Sequence, residues 1–194
     1  ALGPQDADLT LRAEAGEAPA VLSGGRLIGG FTPWRGAILQ ADLRGVDLSD
    51  LDVRELVYRG RRQPLARTPN LDPQHPRHGG FLYNARAVEA GSTTKLAYHE
   101  GELDPILWSH PERALVTSYC SANASYENCI SRIVAFDAEQ RVLELDHGVY
   151  AFEAGDRYYV SNVIEALDAP GEWHVDPDAR VLYFWPPDGA MEGG

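Results

Sequence analysis

Lysine is nearly missing from this chain: Lys95 stands alone beside sixteen arginines and twenty-nine Asp and Glu residues. The net charge of −12 repels a phosphate backbone, so no nucleic-acid partner is expected. Long apolar runs are missing as well. None approaches the roughly 18 residues of a membrane span, and no membrane partner is expected. Helical periodicity is almost absent, which argues against an α or α/β domain. There is no Gly-x-Ser-x-Gly elbow, and Gly24-Gly25-Arg-Leu-Ile-Gly29-Gly30 lacks the Lys and Ser/Thr of a phosphate loop. No second Cys or His pair stands at ligand spacing near Cys120 and Cys129, and neither a metal nor another cofactor is expected. What remains, 44% hydrophobic and 24% charged over 194 residues, suits one globular domain or a larger module with a smaller one inserted.

Alternation is what the chain has in abundance. Leu9–Ala13, Ala20–Leu22, Arg26–Ile28 and Ala37–Leu43 read as short strands broken by glycine turns. Leu56–Tyr58 turns at Arg59-Gly60 and returns through Arg61 to Leu65. Ala114–Tyr119, Ile130–Phe136, Arg141–Leu145 and Arg157–Val160 continue the series, and Glu172–Val175 with Arg180–Trp185 form a closing hairpin. Pro186-Pro187 ends that last strand, because proline has no N–H for a ladder. One short helix is predicted at Val163–Leu167, with Asn162 as its cap and Glu165 completing a capping box. Residues 67–80 hold three prolines and end in Gly79-Gly80, which predicts an irregular loop.

Chemistry is sparse. His75-Pro76-Arg77-His78 is the nearest approach to a ligand pair, although Pro76 opposes a helix that would align the rings. Arg59, Arg61, Arg62 and Arg67 form the one basic cluster. They either pair with the chain's own acids or hold a carboxylate or sulfate in the two-pronged way arginine allows. Glu100, Glu102 and Asp104 sit in an apparent exposed turn, where nothing would raise a pKa for glycoside hydrolysis. Trp173, Tyr183, Phe184 and Trp185 read as core plugs or as a sugar-stacking platform. Cys120 and Cys129 are either two independent thiols or, in an exported protein, a disulfide contributing on the order of 2–3 kcal/mol. Asn123-Ala124-Ser125 fits a glycosylation sequon.

Three stretches carry a resemblance. Arg12–Arg26 resembles an early rung of a right-handed parallel β-helix, and Glu55–Asn70 resembles the segment that follows in one group of such proteins. Asp156–Trp173, continuing to Leu182–Pro187, is similar to the stretch just before the main solenoid in parallel β-helix glycoside hydrolases and their relatives. The Arg59-Gly60 turn, where Asn-Gly is usual, and the Cys120–Cys129 stretch depart from that pattern. The resemblance implies an all-β chain: β-helix rung strands in 1–36, an inserted small antiparallel β-barrel or sandwich in 37–160, and a short helix and hairpin returning to the solenoid in 161–194. It implies further rungs beyond Gly194 that carry the catalytic acids. The chain itself would then be a non-catalytic N-terminal module of a secreted or periplasmic protein acting on polysaccharide, capping the solenoid and lining the substrate groove. Its partners would be a polysaccharide or oligosaccharide and the remainder of the parent polypeptide. Arg67, Asn70, His75 and His78 are the candidate substrate-binding residues, and no residue of the chain is assigned a catalytic role. Two other readings are that the chain supplies site residues to a glycoside hydrolase or polysaccharide lyase, and that it binds a glycan or a protein without catalysis.

Overall fold

The computed structural model describes residues 24–46, 55–119 and 128–189, and these are all-β without an α-helix. In chain order the strands are β1 (Thr32–Arg35), β2 (Ile38–Asp42), β3 (Leu56–Tyr58), β4 (Arg61–Gln63), β5 (Arg67–Thr68) and β6 (Leu82–Tyr83). They continue as β7 (Lys95–Ala97), β8 (Leu115–Tyr119), β9 (Cys129–Asp137), β10 (Val142–Leu145), β11 (Arg157–Ser161), β12 (Trp173–Asp176) and β13 (Val181–Phe184). A four-stranded sheet in the order β1-β2-β13-β12 gathers strands from the two ends of the described chain. A larger sheet of seven runs β5-β11-β8-β9-β10-β7, with β6 also paired to β11, and β3–β4 is a separate hairpin.

Every strand pair in these sheets is antiparallel. The parallel β-helix expected from the resemblance is therefore not shown. Two- to four-residue turns join β1–β2, β3–β4, β9–β10 and β12–β13, and turns that short can only return a strand beside itself. Parallel pairing among the described residues is the single bridge Leu65–Trp173, where Ala66 N donates to Trp173 O at 2.7 Å. The expected rung strands at Leu9–Ala13 and Ala20–Leu22 lie outside the described residues. Arg26–Ile28 forms no strand, and Leu27 is almost wholly exposed.

Period-two alternation explains the cores. On β11, Tyr158 and Val160 turn inward to join Leu96, Val116, Ile133, Leu143, Leu145 and Phe152. On the smaller sheet, Leu182 and Phe184 join Ala41, Leu43 and Trp173. Trp173 and Phe184 are thus core plugs and not a surface platform. Asn84, buried, ties three segments together: its Nδ2 donates to Arg86 O and Glu153 O, and its Oδ1 accepts from Ala97 N at 2.8 Å.

The capping-box helix is corrected. Only a 3₁₀ turn, Ile164–Ala166, forms there, capped by Val163 without a side-chain bond. Asn162 sits at φ 63° and donates its Nδ2 to Arg113 O, while Glu165 accepts from Ser109 N and Oγ. Tertiary partners outbid the local capping bonds. Cys129 opens β9 with its Sγ 3.4 Å from Ser131 Oγ; Cys120 and the Asn123 sequon lie outside the described residues.

Candidate functional site

The alternation that buries Tyr158 and Val160 turns Arg157 and Tyr159 to the opposite face of the seven-stranded sheet. Register then sets their neighbours: Arg157 lies opposite Tyr119, Tyr159 opposite Thr117, and Ser161 opposite Arg67. Side chains at directly opposed positions share a face and meet. Phe81, one residue before β6, completes a ladder of rings and cations. The Arg67 guanidinium lies 3.6 Å from the Tyr159 ring centroid and 5.8 Å from that of Phe81. The Arg157 guanidinium lies 4.9 Å from Phe81 and 4.6 Å from Tyr119, and the Phe81 and Tyr119 rings meet edge to face at 5.7 Å. Each such contact is worth about 0.5–2 kcal/mol, more as water is excluded.

The same side chains hold the prolyl loop between β5 and β6. Arg67 donates Nε to Pro69 O at 3.0 Å and Nη2 to Gly80 O, joining the two ends of the loop. Arg157 Nη1 donates to Arg77 O at 2.7 Å, and Tyr83 OH donates to His78 O at 3.2 Å. Closed ends and internal packing make this segment a compact Ω-like loop. Within it Asp72 accepts from the backbone N–H of Gln74 and His75, and its second oxygen meets His75 Nδ1 at 3.0 Å. The His75 hydrogen bond holds the Asp72 carboxyl below its ordinary value.

The structure places Arg67 in β5, where pairing with β11 makes the start of the expected irregular stretch a strand, and Asn70, His75 and His78 in the loop that follows, each in a different role. Arg67 is buried, and burial lowers its pKa from the usual guanidinium value. It braces the loop from beneath. Asn70 is exposed, and its carbonyl closes the loop against Gly80. His75 and His78 are exposed on the rim, joined through His78 N to His75 O at 3.1 Å. Sequence reasoning missed Arg157, Tyr119, Tyr159 and Phe81. The signal was present in the alternation Arg157-Tyr158-Tyr159-Val160, but which strand lies beside it is settled only by register.

Two buried titratable groups lie nearby. Glu172 is pushed up to about 7 by burial, even though its oxygens accept the N–H groups of Asp168, Ala169 and Arg67. Such a value suits a general acid. Here, however, both oxygens are spent on backbone donors, at 2% exposure, so Glu172 pins β5 to the turn before β12. His174, held down to about 4 by burial, has an unpartnered Nδ1 near Glu165, Asp176, Arg113 and His110. Among the described residues no group of three or more His, Cys, Asp or Glu is placed to hold a metal ion, and no helix is long and apolar enough to cross a membrane.

No protein-family model matches the chain, and no curated protein matches it. A solved structure titled "Glycoside hydrolase" is similar in fold, with a TM-score of 0.58 over 87% of this chain at 19% identity. The match covers 29% of that protein, so the chain spans under a third of its neighbour's length.

Proposed function

We propose that this chain is a non-catalytic, glycan-facing β module of a larger carbohydrate-active protein, with the ring-and-arginine ladder and its loop forming part of a substrate groove. The observation that carries the reading is the ladder itself: five side chains from β5, β8, β11 and the approach to β6, locked together on an outer sheet face beneath a braced loop. Preorganised aromatic and polar groups on rigid strands are what a recognition face requires. The fold shared with part of a structure named glycoside hydrolase supports the carbohydrate context. A parent protein with β-helix rungs, divided here as 1–36, 37–160 and 161–194, belongs to the same proposal. So does the capping of that solenoid. The backbone-saturated Glu172 supports the non-catalytic half. Titrated calorimetrically with a panel of neutral and acidic oligosaccharides, the 194-residue chain should bind at least one and release no shorter products on long incubation. Product release would overturn the non-catalytic reading, and failure to bind any member would overturn the glycan-facing one.

A further inference from the structure

Three of the four tryptophans are built into cores. Trp173 lies within that of the smaller sheet, Trp185 packs against Ile38, Ala66 and Leu167, and Trp108 packs against the core of the larger sheet. Trp34 is the exception, 39% exposed on β1. Register explains where it points. Thr32 and Pro33 pair with Gln40 and Leu39, but Arg35 pairs with Ile38, so Trp34 is the extra residue of a β-bulge. Bulges re-aim side chains. Here the indole crosses β2 to reach β13, where its ring centroid lies 4.4 Å from that of Tyr183 with the planes 47° apart.

The same registers align a polar row on this face. Thr32 lies opposite Gln40, Gln40 opposite Tyr183, and Tyr183 opposite His174. The row descends from exposed Thr32 through half-buried Gln40 and Tyr183 to buried His174. Among the described residues, the Thr32 hydroxyl, the Gln40 amide and the Tyr183 hydroxyl have no hydrogen-bond partner.

These features suit a sugar ring. The negative face of an aromatic ring attracts polarised C–H bonds. Among the described residues no guanidinium covers Trp34, whereas in the ladder Arg67 already covers Tyr159. Uncharged donors and acceptors beside an aromatic wall are what hydroxyl groups need. An anion is disfavoured. Two residues along on the same face, the row Asp176–Val181–Asp42 adds two carboxylates to a chain of net charge −12.

Resting on the glycan-facing reading above, we propose that this edge of the smaller sheet is a second glycan site, separate from the ladder. Trp34 stacks on an uncharged pyranose ring, and Thr32, Gln40 and Tyr183 bond its hydroxyls.

The test labels the 194-residue chain with 5-fluorotryptophan and titrates it with cello-, xylo- and manno-oligosaccharides and with oligogalacturonate, followed by fluorine NMR and calorimetry. Trp34→Phe identifies the Trp34 resonance by its loss. At least one neutral probe should shift that resonance saturably and leave those of Trp173 and Trp185 in place. Trp34→Ala should weaken the same probe about tenfold, with the three remaining resonances showing that the variant is folded. Arg35 is exposed on the same strand, so oligogalacturonate tests whether charge or stacking decides. Tighter binding of oligogalacturonate than of any neutral probe at Trp34 overturns the uncharged assignment. Neutral binding that leaves the Trp34 resonance unmoved, or that Trp34→Ala does not weaken, overturns this site and leaves the ladder as the module's glycan face. Binding of none of the four probes overturns the glycan-facing reading as well.

Discussion

Glu172 and His174 stand two residues apart and hold opposite protonation preferences. Burial raises Glu172 from its usual 4.5 to about 7, so the folded protein binds this proton more tightly than the unfolded chain. The stability it contributes is full below pH 4.5 and is lost as pH rises through 7. Burial lowers His174 from 6.5 to about 4, so its contribution is full above pH 6.5 and is lost as pH falls through 4. Between pH 4.5 and 6.5 the two slopes oppose, each worth on the order of 3 kcal/mol across its window. His174→Leu removes the acid-side loss. Relative to the parent chain, this variant should be more stable at pH 5 than at pH 7.5 by about 2 kcal/mol, read from urea unfolding. An equal difference at both pH values would show that His174 does not titrate as its burial dictates. Neither residue stood out in the sequence: Glu172 is one of twenty-nine acids, and what sets it apart is the backbone of Arg67, 105 positions away.

At the scale of elements, strand alternation was legible and its exceptions were not. Leu56–Tyr58 and Arg61–Gln63 form the hairpin expected around Arg59-Gly60, with φ of 48° and 74° as a tight mirror-image turn needs. Asn usually fills the first of these positions; here Arg59 is braced by Asp188 at 2.6 Å. The Val163–Leu167 helix failed because Asn162 and Glu165 bond to Arg113 and Ser109, partners that no local pattern reveals. The prolyl loop was legible as irregular, but not as closed. Its closure turns on Gly80, at φ 73°, where a β-carbon would come within 2.8 Å of Asn70 O. Gly80→Ala should cost about 1–2 kcal/mol from the left-handed backbone alone, with more from that clash. It should speed tryptic cleavage after Arg77 and lower the melting temperature by a few degrees. A cleavage rate unchanged from the parent chain would mean the loop is not closed at this point.

For the whole molecule, composition and alternation together reached the all-β class; the described sheets are antiparallel, and a parallel β-helix is not shown among them. The reason is connectivity: hairpin turns are local and readable, whereas the pairing of β2 with β13, or of β5 with β11, joins residues more than ninety positions apart. The candidate site is of the second kind. Arg67 and the loop were found from one contiguous stretch, while Tyr119, Arg157 and Tyr159 reach it only through the β8–β11–β5 register. The sheet thus converts scattered residues into one face. Hydroxyl-radical footprinting of the 194-residue chain, with and without its tightest-binding oligosaccharide, tests this account most directly. Protection should appear at Phe81, Tyr83, Tyr119 and Tyr159, with exposed Ile106 and Leu107 unchanged; protection at Ile106 and Leu107 with none on the ladder would contradict it.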